Sequence, residues 1–288
     1  MTESDSAIAA ARYRMTVGDF EITVLSDGFI SVPGEVLVPE GAPEERAEVL
    51  AQLDCRDGAV LPKANIPLLR TGSDLIIVDI GAGRRYQPTD GQLASDMERA
   101  GIDPLSVTKV AFTHAHPDHV SATVLEGGGL RFPNATYYVG ASEWEFWMDP
   151  DYLTRMPPAL HAFAEGARRD LGAIRERVVL LRPGDDVVTG LRALETAGHT
   201  PGHLSFEVSG GEGLLITADV AVNEIVSFKH PDWPFGYDTL PDLAICARRR
   251  MLDRAATDRT RMLGYHWAYP GLGYAERRGN GFAFVGAG

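Results

Sequence analysis

The chain has 288 residues, of which 44% are apolar and 23% are charged, and its formal net charge is −13. This composition is ordinary for a globular protein and excludes collagen-like, low-complexity and wholly disordered chains. The acidic balance, with no basic stripe, argues against nucleic-acid binding, and no apolar run approaches the roughly 20 residues of a membrane span. Cys55 and Cys246 form no CxxC pair, so they predict neither a disulfide framework nor a thiolate metal site.

The N-terminal segment begins with acidic residues and holds no long apolar stretch. It therefore predicts no secretory signal, and the sparse cysteines favour a reducing cytoplasmic location. No internal repeat or linker-like stretch interrupts the sequence, which predicts one domain over residues 1–288.

The predicted elements are strand meanders with helices between and after them. In chain order they are strands at 13–17 and 20–25, a helix at 42–53, strands at 66–70 and 75–79, a helix at 91–100, strands at 109–113 and 135–139, helices at 141–148 and 157–173, strands at 178–181, 191–195, 204–208 and 214–217, a helix at 241–256, and strands at 261–265 and 282–285. This mixture favours α/β layers over a purely parallel doubly wound sheet. Residues 141–173 are expected to form a helical insertion, and Arg248–Arg250 a solvated helix face.

A dense cluster of potential metal ligands follows the strand predicted at 109–113. It reads His114-Ala115-His116-Pro117-Asp118-His119. The first two histidines are two positions apart at a strand end, so their rings are expected to point to one side, and the proline then turns the chain. Imidazole nitrogens and carboxylate oxygens suit zinc and similar first-row metals. The cluster therefore predicts a metal site.

Further potential ligands lie where other predicted strands end. His199 follows the strand at 191–195, Asp219 follows 214–217, and His266 follows 261–265. Functional side chains are often placed at such strand ends. Because the first cluster alone cannot fill two metal shells, these three residues are expected to complete them.

This ordered set of motifs, from Val78–Gly83 through the two histidine stretches to Thr217–Asp219 and Gly264–His266, resembles the metallo-β-lactamase superfamily of metal-dependent hydrolases. The resemblance implies a four-layer αββα sandwich with two metals at one edge of its sheets. It implies that one metal is held by His114, His116 and His199, that the other is held by Asp118, His119 and His266, that Asp219 bridges both, and that Asp79 orients a ligand. His203 matches a motif position that is not normally a ligand and is expected to have a structural role, and His161 and His230 match none.

Two further stretches, Pro88–Leu93 and His266–Gly273, resemble the branch that contains methyl parathion hydrolase and relatives of the acyl-homoserine lactonases. That branch is often dimeric, which together with the aromatic insertion predicts a homodimer. One position departs from the pattern. Val222 stands where the best-known lactonases carry a tyrosine that helps to hold the substrate carbonyl.

The ligand set predicts hydrolytic chemistry with two divalent metal ions. Zinc is favoured, although histidine and aspartate also suit iron and manganese. Two ions roughly 3.5–4 Å apart can hold a bridging hydroxide that attacks the bond to be cleaved. Asp118 is the predicted catalytic residue, since it could relay a proton to the leaving group. No G-x-S-x-G, Rossmann or P-loop pattern occurs, so no organic cofactor is implied.

Aromatic loops after the ligand-bearing strands predict an apolar substrate pocket. Its expected members are Val222, Phe228, Trp233, Phe235 and Trp267. Such a pocket favours a lactone or a small hydrophobic carboxylic ester. Trp144 and Trp147 fit a core-facing helix stripe or a subunit contact.

Three alternatives to ester hydrolysis stay open. The same centre could cleave phosphotriesters or phosphodiesters, and an iron-dependent oxygenase acting on a sulfur substrate would use the same ligands. A binding module without activity is disfavoured by the complete ligand set.

Overall fold

The computed structural model describes residues 12–155 and 158–287. The expectation about the N-terminal segment therefore falls mostly outside the described residues, as does Pro157, where one predicted helix begins. Within them, no helix has both the length and the apolar composition needed to cross a bilayer.

Sixteen strands form within the described residues. They are β1 (Arg14–Val17), β2 (Phe20–Phe29), β3 (Val32–Pro33), β4 (Ala59–Val60), β5 (Lys63–Thr71), β6 (Asp74–Val78), β7 (Lys109–Ala111), β8 (Thr136–Gly140), β9 (Val178–Leu181), β10 (Asp186–Val188), β11 (Leu191–Glu195), β12 (Leu204–Val208), β13 (Leu214–Ile216), β14 (Arg261–Leu263), β15 (Leu272–Arg278) and β16 (Gly281–Gly286).

The α-helices of the same residues alternate with these strands. They are α1 (Gly34–Leu37), α2 (Pro43–Gln52), α3 (Leu93–Arg99), α4 (Pro117–Val120), α5 (Ala141–Met148), α6 (His161–Ala173), α7 (Val226–Lys229) and α8 (Pro241–Asp258). Short 3-10 turns lie at Pro104–Ser106, Tyr152–Arg155, Pro158–Leu160, Arg175–Arg177 and Ala218–Ala221.

Two large mixed sheets carry the fold. One has the order β1-β2-β5-β6-β7-β8-β9, and the other runs in sequence order from β10 to β16. Apolar side chains from the facing surfaces of both sheets, including Val24, Ile76, Phe206 and Ile216, form the core between them. Each sheet thereby buries one of its two faces against the other sheet.

Helices cover the outer face of each sheet. On the first sheet, Met97 of α3, Trp147 of α5 and Leu171 of α6 join a second apolar core. On the second sheet, Met251 and Leu252 of α8 join a third. The order of layers is helix, sheet, sheet, helix, so the αββα sandwich implied by the resemblance is confirmed.

Strand direction places the predicted ligands at one edge of the sandwich. In the first sheet, β6 and β7 are parallel. In the second, β13 and β14 are parallel, and β11 runs the same way because two antiparallel pairings separate it from β13. Strands that run in the same direction have their carboxyl ends at the same edge of the sheet, and α/β proteins commonly bind ligands at that edge.

Most predicted elements form within a few residues of their expected bounds. The strands at 186–188 and 272–278 were not predicted. The first is short. The second pairs on both sides yet ends in the charged stretch Glu276–Arg278, which weakens its apolar alternation.

The predicted solvated face at Arg248–Arg250 is wrong for its first residue. Arg248 is 2% exposed, because its guanidinium donates to the carbonyl oxygens of Val220, Pro231 and Trp233 and to the Asp238 carboxylate. Burial of a cation is tolerated when every donor finds such an acceptor. Arg249 pairs with Asp232 at the surface.

The tryptophans of the predicted insertion pack inward. Trp147 is buried in the core between the first sheet and its helices, and Trp144 packs against the same core. The helix-stripe interpretation is thus confirmed, and the aromatic residues that suggested a subunit contact are occupied within the chain. The homodimer itself stays a prediction.

Candidate metal centre

The first ligand cluster leaves the end of β7 and enters a short helix. His114 lies in the loop, and Pro117 begins α4, whose first turn contains Asp118 and His119. Proline suits a first helical position, where its missing N–H would have no partner anyway. The turn brings the rings of His114 and His119 to a centroid distance of 4.1 Å.

The other three predicted ligands arrive from the second sheet. His199 follows β11, Asp219 lies in the 3-10 turn after β13, and His266 follows β14. The structure brings them to the first cluster, and all seven residues are at most 8% exposed. Ligand atoms lie within 4.8 Å of one another in three groups: His114, His116 and His199; His114, His119 and Asp219; Asp118, His119 and His266.

Asp219 lies between the two halves of the site. Its Oδ2 is 3.4 Å from Nε2 of His199 in one half and 3.4 Å from Nε2 of His266 in the other. Its Oδ1 is 3.6 Å from Nε2 of His119. One carboxylate thus faces ligands of both halves, as the bridging role predicted for it requires.

Several polar atoms at the centre lack hydrogen-bond partners. Among the described residues, Nε2 of His114, Nε2 of His119 and Oδ1 of Asp219 are buried without one. An unpaired buried polar atom costs free energy, so native proteins rarely keep three together without a ligand. Imidazole nitrogens and carboxylate oxygens are also donors of the kind that zinc, iron and manganese accept. The residues therefore fit divalent metal ions.

The electrostatics of the centre also favour bound cations. Burial lowers the pKa of His114 and His116 well below the usual value, which keeps both imidazoles neutral and able to ligate. Burial also opposes charge on His266, but Asp219 and Asp118 outweigh it and raise the pKa of His266 to about 10. The carboxylates thus attract positive charge to this half of the site.

Four of the histidine ligands are held through their Nδ1 atoms by groups outside the ligand set, whereas Nδ1 of His116 lies 2.9 Å from Nε2 of His199. The partners are Thr113 Oγ1 at 3.0 Å for His114, Asp79 Oδ2 at 2.8 Å for His119, Asp238 Oδ1 at 3.0 Å for His199, and the Lys63 carbonyl at 2.8 Å for His266. Such contacts fix ring orientation and leave Nε2 for a metal. Asp79 thus has the orienting contact implied for it, whereas Asp238 was not predicted.

Asp238 was missed because its sequence surroundings give no signal. It lies in an aromatic loop far along the chain from His199, and the buried Arg248 fixes its other oxygen at 3.2 Å. Burial acts to raise the pKa of Asp238, but the bond from His199 and the charges of His199 and Arg248 lower it below its usual value.

His203 has the structural position predicted for it. Its Nδ1 contacts Thr196 Oγ1 at 2.8 Å, and its Nε2 accepts from the backbone nitrogen of Asp219 at 3.2 Å. Both ring nitrogens are therefore used within the protein, and the second contact helps to place Asp219.

A narrow cavity lies above the ligands, with about 370 Å³ of space between the protein atoms when the open solvent at its mouth is included. We call His116, Asp118, His199, Asp219 and His266 the cavity floor. The cavity wall is formed by Ile30, Val32, Pro62, Tyr86, Phe163, Val222, Phe235 and Tyr237. Of the predicted pocket residues, Val222 and Phe235 lie in this wall.

The other three predicted pocket residues lie elsewhere. Phe228 and Trp267 pack together in the core beneath α8, with ring centroids 5.3 Å apart, and the Trp267 indole donates to the carbonyl of Ala221. Trp233 stacks on His230 and lines a smaller neighbouring cavity. The prediction placed these residues in the pocket because they follow ligand-bearing strands, and it is wrong. Trp267, for example, turns back into the core directly after His266.

Tyr86, Phe163 and Tyr237 of the wall were not predicted. Phe163 makes edge contacts to both tyrosines, at centroid distances of 5.7 and 6.1 Å. They come from three separate segments, and each is an ordinary aromatic residue in its own segment. Only the fold brings them to one cavity.

A comparison with protein families matches residues 63–261 to the metallo-beta-lactamase superfamily. Among curated proteins, the N-acyl homoserine lactonase AttM of Agrobacterium fabrum is 32% identical over 143 residues, which cover 46% of this chain and 48% of the relative. The chain thus matches about half the length of that relative. The N-acyl homoserine lactonase of Bacillus thuringiensis is 26% identical over 224 residues, or 76% of this chain and 70% of the relative.

Solved structures resemble nearly the whole chain. AidC, described as a dizinc quorum-quenching lactonase in complex with a product, superposes with a TM-score of 0.89 at 27% identity and covers 96% of this chain and 98% of its own. The hydrolase AbOPH superposes with a TM-score of 0.88 at 28% identity, over 97% and 98%. The predicted kinship with metal-dependent hydrolases is thereby confirmed: this chain belongs to the metallo-β-lactamase superfamily.

Proposed function

We propose that the protein is a binuclear metal-dependent hydrolase that opens a lactone ring or cleaves a small hydrophobic carboxylic ester. The observation that carries the proposal is the position of seven buried ligand side chains in and beneath the floor of an aromatic cavity, three of their polar atoms having no protein partner. Pockets with convergent polar groups on an apolar wall are the usual form of small-molecule sites.

The relatives narrow the substrate class. AttM and the Bacillus thuringiensis relative are named N-acyl homoserine lactonases, and AidC is described as a dizinc lactonase. On that basis we propose zinc as the metal and N-acyl homoserine lactones as the first substrates to test. The match to AttM covers only about half of either protein, so its substrate is carried over as a proposal.

Two bound divalent ions would supply a hydroxide nucleophile at neutral pH and withdraw electron density from the substrate carbonyl. His114, His116 and His199 would hold one ion, Asp118, His119 and His266 the other, and Asp219 both. Asp118 lines the cavity, and its Oδ2 faces His266 at 3.2 Å. We assign its Oδ1 a proton relay: the carboxylate takes the proton from the hydroxyl group that adds to the carbonyl and passes it to the leaving alkoxide as the C–O bond breaks.

The cavity wall selects neutral substrates. Within the described residues its side chains carry no formal charge, and Tyr86 and Tyr237 supply its phenolic hydroxyls. Burial and the charge of Asp118 raise the pKa of both phenols, which keeps them protonated and able to donate. We assign them the polar contacts to the substrate that Val222 cannot make.

The proposal is tested with the metal-replete protein on N-acyl homoserine lactones of several chain lengths, an aryl ester and an aryl phosphotriester. We expect kcat/KM for a lactone or ester to exceed that for the phosphotriester by at least about tenfold, or about 1.4 kcal/mol. A preference for the phosphotriester would contradict ester hydrolysis as the function and would support phosphotriester hydrolysis in its place. Elemental analysis that finds one metal per active chain would exclude the binuclear mechanism.

A further inference from the structure

The inference concerns Glu143, a buried carboxylate in the first turn of α5 that the mechanism above does not use. Its side chain is fully buried, and no Lys or Arg of the described residues forms a salt bridge with it. Burying an unpaired carboxylate is costly, so its retention requires compensating contacts. Those contacts come from hydrogen bonds to both ligand-bearing loops.

Four donors converge on the two oxygens of Glu143. Oε1 accepts from the backbone nitrogen of Ala115 at 2.8 Å and from the indole nitrogen of Trp147 at 2.6 Å. Oε2 accepts from the hydroxyl of Thr200 at 2.7 Å and from the backbone nitrogen of Gly202 at 3.0 Å. Hydrogen bonds to an ionised acceptor are about twice as strong as neutral ones.

The donor set fits an ionised side chain. Backbone and indole N–H groups can only donate, so three of the four partners could not accept a proton from a neutral Glu143. Burial raises the pKa of Glu143, while the bonds from Thr200, Trp147 and the two backbone nitrogens oppose that rise. An amide at this position would place an NH2 group against N–H or O–H donors in either orientation.

The two loops meet at this carboxylate. Ala115 lies between His114 and His116, and Thr200 follows His199 directly, so the side chain joins the two loops that carry the three histidines of one proposed metal. The approach is close, since a Cβ on Gly202 would collide with the backbone nitrogen of Glu143. The partners of the other half are different: His119 is held by Asp79 and His266 by the Lys63 carbonyl.

We propose that Glu143 is a positioning residue that ties the His114–His116 loop to the His199–Gly202 loop and pre-organises the metal site of His114, His116 and His199. This rests on the proposed function, because it assumes that the centre binds two metals. Without the carboxylate, the two loops lose their shared anchor and the three nitrogens are no longer fixed for one ion. Partners of this kind change metal affinity by about 10–100-fold when removed.

The test is metal binding by the full-length chain, stripped of metal and titrated with Zn²⁺ against a chelator of known affinity. We expect Glu143→Gln to weaken one of the two binding steps by about 10–100-fold and to leave the other within about threefold. Co²⁺ substitution supplies a second measurement, in which we expect the ligand-field absorption of one ion to change. Neither measurement depends on substrate turnover.

The matched control is Asp96→Asn. Asp96 is also a buried carboxylate with hydrogen bonds, from Ser26 and Arg12, but it contacts no ligand loop. We expect it to lower thermal stability while both metal affinities stay at the wild-type values. Equal losses of metal affinity in both variants would mean that general destabilisation is responsible, and would overturn the positioning role.

Thr200→Val tests the same proposal with a smaller change if Glu143→Gln folds poorly. It keeps the side-chain shape and removes one of the four donors, so we expect a weaker loss in the same binding step. Wild-type affinities in either folded variant would overturn the role of Glu143 and leave the proposed function intact. A wild-type chain that binds no metal would overturn both.

Discussion

The cavity floor and the cavity wall are built in different ways. In floor residues such as His199 and His266, a hydrogen bond between Nδ1 and another protein group fixes the orientation of the ring. Two of the loops that carry histidines also donate hydrogen bonds to the same carboxylate, that of Glu143. Wall residues such as Phe163 and Tyr237 contact each other edge to face. Directed hydrogen bonds fix position more tightly than apolar contacts do. The difference separates a rigid reactive centre from a more adaptable binding surface.

The largest effect is expected from removing the group that joins the two halves of the floor. Asp219→Ala takes away the carboxylate that faces ligands of both, so we expect loss of both metals and a fall in kcat/KM of about 1,000-fold, or about 4 kcal/mol. Elemental analysis and turnover measure the two effects. His203→Ala should keep both metals although it destabilises the fold. The opposite pattern would contradict the ligand assignment.

A smaller effect is expected one contact further from the floor. Asp238→Asn replaces the carboxylate that holds His199 and leaves the buried Arg248 without its counter-charge. We expect metal affinity to fall by about 10–100-fold, with activity restored at high metal concentration. Activity that stays low with both metals bound would show that Asp238 acts on the chemical step instead.

Substitutions in the cavity wall should change substrate binding and leave the chemical step and metal binding unaffected. Phe163→Ala removes a ring that contacts both Tyr86 and Tyr237, and we expect KM to rise about tenfold with kcat within about twofold, as for lost uniform binding. Trp233→Ala is the matched control, since Trp233 lies outside this cavity, and its KM should change less than about twofold. Metal loss in Phe163→Ala would break the proposed separation of wall and floor.

The smallest effect concerns the segment that carries Tyr86. Asp90 accepts from the backbone nitrogen of Gln87, and burial, followed by the charge of Asp27, raises the pKa of Asp90 to about 7. The folded state therefore binds a proton more tightly than the unfolded chain between about pH 4 and 7, and this contribution to stability is lost as pH rises through that window. We expect Asp90→Asn to raise Tm at pH 8 by about 2–4 °C and to have no such benefit at pH 4. A pH-independent change in Tm would contradict this.

The sequence predicted the floor better than the wall for a physical reason. His114, His116, Asp118 and His119 form a local pattern, and His199, Asp219 and His266 each follow a recognisable strand. Tyr86 and Phe163 have no such mark. Their position depends on how a loop and α6 pack over the sheets, which no local pattern encodes.

Glu143 and Arg248 illustrate the same limit. Glu143 is an ordinary residue of a short helix, and its partners in the two ligand loops lie 28, 57 and 59 positions away. Arg248 belongs to a basic run that is typical of helix surfaces, yet three backbone carbonyls accept from it in the interior. Only the folded chain reveals that these charges are satisfied inside.

The separate origin of the wall residues has a consequence for protein engineering. Tyr86 and Phe163 come from different segments but their rings are in contact, and the free-energy effects of residues in contact do not simply add. These two positions should therefore be varied together, because the effects of their single variants on substrate preference are not expected to combine additively.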